Sequence, residues 1–170
     1  MAQYERGKKI IKTKDFTNNA EVNFEPAFGF MGDNEDYIET LKALMKLNPD
    51  CTGDYVRMLF LDTICANPDR HTFNFGVMRD VKCGRVLRLA PNFDNNMALI
   101  SRGYPRNTAR KNDILVRLFN ELASYDSSLK QYIPDINREL LAEAIKEVGM
   151  RVRSGDIIEF IMSGYSGIEK

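Results

Sequence analysis

The chain holds 170 residues, with 24 basic side chains set against 24 acidic ones and a single histidine. That length suits one domain with a real core, and the charge balance excludes the strong net field of a dedicated nucleic-acid or polyanion binder. Cys51, Cys65 and Cys83 lack C-x-x-C spacing and, being three, cannot close a disulfide framework, so buried, inert, reduced thiols of a cytoplasmic protein are expected.

Residues 1–34 mix Lys, Asn, Gly and Phe without a strong period, and only "KKIIKTK" reads as a short edge strand. The opening "MAQYERGKKI" has charges with no apolar segment behind them, and the longest apolar run, "MLFL", stops at Asp62. Neither a signal peptide nor a membrane span is expected.

From Asn34, "NEDYIETLKALMKLN" places Tyr37, Ile38, Leu41, Leu44 and Met45 on one helical face and ends at Asn48-Pro49. The next stretch, "TGDYVRMLFLDTICAN", has Thr52 as its expected cap and an apolar stripe through Tyr55, Val56, Leu59, Phe60, Thr63 and Ile64. It predicts a largely buried helix that stops at Asn67, because Pro68 disfavours helical angles in the residue before it. Beyond the loop "NPDRHTFNFG", the segments "FNFGVMRD" and "RVLRLAP" flank "DVKCG" and read as an antiparallel hairpin. Three more helices follow in "NDILVRLFNELASY", "NRELLAEAIKEVGMRV" and "GDIIEFIMSG", with Asn112, Asn137 and Ser154 as expected caps. The expected fold is α+β and mostly helical around one small hairpin.

The hairpin carries the functional argument. Pairing 74–79 with 85–90 sets Asn74 near Ala90, and the same register continued at roughly 3.3 Å per residue brings Asp94 across from residues 69–71. Alternation puts Phe73, Phe75 and Val77 on one face as anchors and Asn74 on the other. Asp69, Asn74 and Asp94 then converge as three oxygen-bearing side chains, a set suited to a hard divalent cation such as Mg²⁺. Taken singly, Asp69 and Asn74 read as turn formers, since Asx side chains bond nearby backbone. The convergence is what favours a site.

Asp69-x-x-x-x-Asn74 followed by Asp94 resembles the D-x-x-x-x-N catalytic loop and metal-binding aspartate of kinases. The order Asp69-Arg70-His71 inverts the usual H-R-D and, with "NFGVMRD" and "APNFDNNMAL" downstream, resembles the HipA-like serine/threonine kinases and, more remotely, phosphoinositide kinases. The similarity runs from Tyr55 to Leu99 and loosely through the C-terminal helices. It implies one kinase-like C-terminal lobe over residues 1–170, in which 1–34 are the remnant of a small lobe and linker and 35–170 the helical lobe.

By that resemblance Asp69 is the catalytic base, Asn74 and Asp94 hold metal, and Mg²⁺ and ATP are the cofactors. Arg70 and His71 are loop supports or phosphate neighbours, His71 as support rather than base because Asp69 already fills that role. Asp62 either buttresses Arg70 or is a solvated helix residue. A phosphate-covering loop is not visible, since Gly29 and Gly32 do not make G-x-G-x-x-G, and Lys8, Lys9, Lys12 and Lys14 lack a V-A-I-K setting. The expectation is phosphoryl transfer to a protein Ser/Thr hydroxyl if another chain supplies a small lobe, and weak or absent activity alone.

Arg102, Arg106, Arg110 and Lys111 form a basic segment that reads either as a dock for a phosphorylated or acidic partner or as a solvated loop. Direct nucleic-acid contact is not expected, with only Tyr104 available there for stacking. The alternative function is a non-catalytic kinase-derived interaction or regulatory module, of the kind found in bacterial toxin–antitoxin or mobile-element settings. A metal-dependent phosphohydrolase ranks last, because it needs more acids or histidines than this loop provides.

Overall fold

Helix α3, Cys51–Cys65, is apolar on nearly every side: Tyr55, Val56, Met58, Leu59, Phe60 and Ile64 are all buried. A helix buried all round has to be wrapped by other elements. In the computed structural model, which describes residues 3–5, 10–12, 15–17 and 20–170, that wrapping sets the layout. Helix α2 (Tyr37–Leu47), helix α4 (Ile114–Tyr125), helix α6 (Ser154–Tyr165) and a 3₁₀ turn at Ser127–Tyr132 all pack against α3. Helix α5 (Arg138–Val148) buries no residue and lies outside, against α6. The fold is α+β, as the sequence predicts, with more residues in helices than in strands.

The sheet is larger than the expected hairpin. Strands β3 (Val22–Pro26), β4 (Gly76–Asp80) and β5 (Val86–Leu89) form an antiparallel sheet in that order. Residues 22–31, expected as linker, therefore supply an outer strand and the short helix α1 (Phe28–Met31). The backbone N–H groups of Ala27 and Phe28 continue that pairing, donating to the Phe75 and Thr72 carbonyls at 2.9 Å each. A separate antiparallel pair joins β1 (Gln3–Glu5) to β2 (Ile10–Lys12), the latter inside the "KKIIKTK" stretch. Lys8, Lys9 and Lys14 lie outside the described residues.

The hairpin register differs from the expected one by two positions: Val77 faces Leu89 and Met78 faces Arg88. A two-residue slip keeps every side chain on its face, which is why Val77 and Leu89 still point into the core. It moves the level of Asn74 from Ala90 to Asn92. The strand also starts later than predicted, at Gly76, so Phe73 is no anchor: it is 58% exposed and stacks on Phe28 at 4.5 Å. Phe75 and Val77 are buried as expected.

Helix ends follow local hydrogen bonding. The Asn137 side chain accepts from Leu140 N–H at 2.9 Å, as predicted, and Asp36 caps α2 in the same manner. At α4 the cap is Asp113, not Asn112, because only a side chain directly before the first turn reaches the Leu115 and Val116 N–H groups. Thr52 lies inside α3, one residue past its start, and Ser154 opens α6 without a side-chain cap bond. Helix α3 ends at Cys65, short of Asn67, where Ala66 turns left-handed at φ 52°. Among the described residues no helix is long and apolar enough to cross a membrane.

At Gly76 a Cβ would stand 2.1 Å from the Glu25 carbonyl oxygen, so β3 and β4 approach at a distance only glycine permits. Gly76→Ala is expected to cost about 3 kcal/mol, measured as a lower midpoint in urea. The thiols differ from expectation at two positions: Cys83 sits exposed in the β4–β5 turn, and Cys65 is half-buried at the end of α3. Burial pushes the Cys51 thiol up to about 11 and Cys65 up to about 12. Native chain at pH 8 should therefore label once, at Cys83, and three times when unfolded. Because those two pKa values are raised on folding, the stability they carry is complete below the ordinary thiol value and is lost as pH climbs towards 11 and 12.

Candidate functional site

The site is built on the C-terminal end of α3, where four carbonyls have no partner inside the helix. Each finds one outside. Ala66 N–H and Asn67 N–H, the latter at 2.8 Å, serve Asp62, and Leu99 N–H serves Cys65 at 2.7 Å. The Arg110 guanidinium serves Thr63 at 2.6 Å and Ile64 at 2.8 Å. Arg110 is only 3% exposed in its side chain, pairs with Asp113 at 2.8 Å and lies over the Phe160 ring. It is thus a helix cap rather than part of a docking segment. Arg102, Arg106 and Lys111 are exposed.

One turn back on α3, Asp62 is 1% exposed, and its carboxylate takes two hydrogen bonds from Arg70, at 2.7 and 2.8 Å. Of the two sequence readings of Asp62, the structure shows the ion pair. Arg70 does more than pair: Nη1 donates to the carbonyls of Asn74 and Phe93 at 2.8 and 3.0 Å, and Nη2 also reaches the side-chain oxygens of Asn92 and Asn95 at 2.8 and 2.7 Å. All five guanidinium N–H groups find acceptors. With its side chain 3% exposed, Arg70 cannot neighbour a substrate phosphate; it is a support.

These bonds link three separate segments. The end of α3 supplies Asp62, loop 67–74 supplies Arg70 and the Asn74 carbonyl, and loop 92–95 supplies acceptors on both sides of Asp94. Within the first loop, the Asn74 side chain donates to the Asp69 carbonyl and accepts from His71 N–H at 3.1 Å. The His71 ring nitrogen Nδ1 in turn accepts from Phe73 N–H at 3.3 Å. Asn67 donates to Asp62 at 2.8 Å.

The chemistry-bearing groups are left differently. Asn74 is 2% exposed, with both polar side-chain atoms engaged inside its loop. Asp94 is exposed and left-handed at φ 57°, and Asp69 is half-buried. Neither carboxylate makes a hydrogen bond to another described residue. Asp69 and Asn74 stand on one loop and Asp94 on another, the two joined through Arg70, and all three carry the oxygen donors that a hard cation takes. Among the described residues no group of three or more His, Cys, Asp or Glu side chains gathers.

Sequence reasoning missed Asn92, Asn95 and Asn67. The first two were visible as polar residues on either side of Asp94 in "PNFDNN", a signal that marks a loop held by side-chain bonding. Tyr37, on α2, lies near the same hub: burial, then the negative charge of Asp62, raises its hydroxyl to about 12. Comparison of the chain with family models, with curated proteins and with solved structures returned no match.

Removing one partner of a buried pair leaves the other charge uncompensated, at about 3–5 kcal/mol. Asp62→Ala is accordingly expected to lower stability by that amount in urea unfolding, whereas exposed Asp94→Asn stays within about 0.5 kcal/mol.

Proposed function

We propose that this chain is the large catalytic lobe of a HipA-like kinase, built to place a Mg²⁺–nucleotide against an acceptor hydroxyl. The observation that carries the reading is the Arg70 hub. It ties the loop of Asp69 and Asn74 to both flanks of Asp94, so the two halves of the motif are joined by hydrogen bonds as well as by spacing.

On this reading Asp69, half-buried and with its carboxylate unbonded, accepts the proton of a protein Ser or Thr hydroxyl. Asp94 and the remaining lone pair of the Asn74 amide oxygen are the groups that would hold Mg²⁺, which when bound supplies charge neutralisation for the nucleotide phosphates. His71 stays a support, because its Nδ1 is committed to Phe73 N–H. The oxygen donors suit a hard cation, and Asp94 suits it best, being exposed and bonded to no other described residue. Exposed Arg102, Arg106 and Lys111 are the available cations for an acidic or phosphorylated partner.

One observation favours the non-catalytic alternative, a kinase-derived interaction module. The Asn74 side chain is almost fully buried and spends both polar atoms holding its own loop. A site that has lost its metal would still need that asparagine for loop structure.

The two readings separate in a calorimetric titration with ATP, with and without Mg²⁺, on the chain and on Asp94→Asn. Kinase-lobe function gives metal-dependent binding that the substitution weakens by about tenfold or more, equivalent to about 1.4 kcal/mol. Binding that ignores both the metal and the substitution, or none at millimolar nucleotide, leaves the interaction module.

A further inference from the structure

Asp94 adopts a left-handed backbone conformation in a loop whose inner side is held by Arg70. Its outer side is held by something else. The residue just before it, Phe93, stacks on Phe16 with ring centroids 5.8 Å apart and planes at 20°, and meets Phe24 edge-to-face at 5.6 Å and 80°. Phe16 and Phe24 close the triangle at 5.7 Å and 79°. Both geometries are the ones aromatic quadrupoles favour. The three rings come from three places: Phe24 from the outer strand β3, Phe93 from the loop of Asp94, and Phe16 from the segment ahead of the sheet.

We infer that Phe93 is a positioning residue for Asp94, and that Phe16 and Phe24 clamp its ring so that the segment ahead of the sheet sets where the Asp94 carboxylate stands. Phe93 is gripped twice, by its carbonyl through Arg70 at 3.0 Å and by its ring through the aromatic triangle. Two grips on adjacent groups define both the place and the tilt of the peptide that leads into Asp94. The Arg70 grip is internal and buried, whereas the ring grip is half-exposed and includes a residue outside every helix and strand, so it is the adjustable one. A displacement of the Phe16 ring reaches Phe93 directly and through Phe24, and from there the next residue, Asp94. The consequence for nucleotide binding rests on the kinase reading; the clamp itself rests on geometry alone.

The test uses the full chain, with Phe16→Ala and the ring-retaining Phe16→Tyr. Phe16 is a peripheral, half-buried residue, so the global unfolding midpoint should hold while the ¹H–¹⁵N resonances of residues 92–96 and the side-chain amides of Asn92 and Asn95 shift in the alanine variant and return in the tyrosine variant. Resonances of α4, α5 and α6 should stay in place. Mg²⁺–ATP binding should weaken about five- to tenfold in Phe16→Ala and recover in Phe16→Tyr. Unmoved resonances at 92–96 overturn the clamp whatever the nucleotide does, and equal affinity in all three chains overturns its bearing on the site. If the unsubstituted chain binds no nucleotide, the kinase reading fails by itself, and the resonances alone decide the clamp.

Discussion

A buried arginine with all its donors in use is the constraint on which the rest of the structure depends. Placing the Arg70 guanidinium away from water costs several kcal/mol unless a counter-ion and full hydrogen bonding offset it. Asp62 supplies the counter-ion, and four further oxygens complete the set. Arginine suits this place where lysine would not, because its planar fork spreads five donors in fixed directions. Every acceptor must come to it. Loops 67–74 and 92–95 therefore have little freedom to rearrange while the pair stays buried.

The end of α3 follows the same logic. A buried helix terminus exposes carbonyls that water cannot reach, so each must be met by protein. Arg110, from far along the chain, meets two of them, and Leu99, from the segment after Asp94, meets a third. The C-terminal helices are thereby tied to the same helix end as the candidate site. Arg70, Arg110, Asp62 and Asn74 face inward and bond the frame, while Asp69 is half-buried, Asp94 is exposed, and neither carboxylate bonds another described residue. A frame of that kind holds the loops that carry Asp69 and Asp94 against each other.

Much of the layout was legible because helical periodicity survives in a single sequence. The apolar residues of α2, α3 and α4 repeat at helical spacing and were found there. The loop of Asp69 was legible because Pro68 and the clustered Asx residues break the period sharply. Strand β3 was not legible, because the apolar–polar alternation of "VNFEP" lasts only five residues and ends in a proline; its place comes from pairing with β4, a contact made across fifty or more positions of chain. The hairpin register missed by two for a related reason: a bulge between Met78 and Arg79 leaves no trace in residue type, and a slip of two preserves the inside–outside pattern. Arg110 looked like its neighbours Arg106 and Lys111, and only the helix end that it meets distinguishes it.

Helices α2 to α6 and the loop of Asp69 and Asn74 could be read from the sequence, since local periodicity and turn preference are written in neighbouring residues. Tertiary structure alone decided which arginines face inward, that Asn92 and Asn95 flank Asp94 as acceptors, and that Phe16 reaches Phe93. The physical reason is that a charge can be buried only where distant segments bring it enough partners, and no stretch of contiguous residues contains that count.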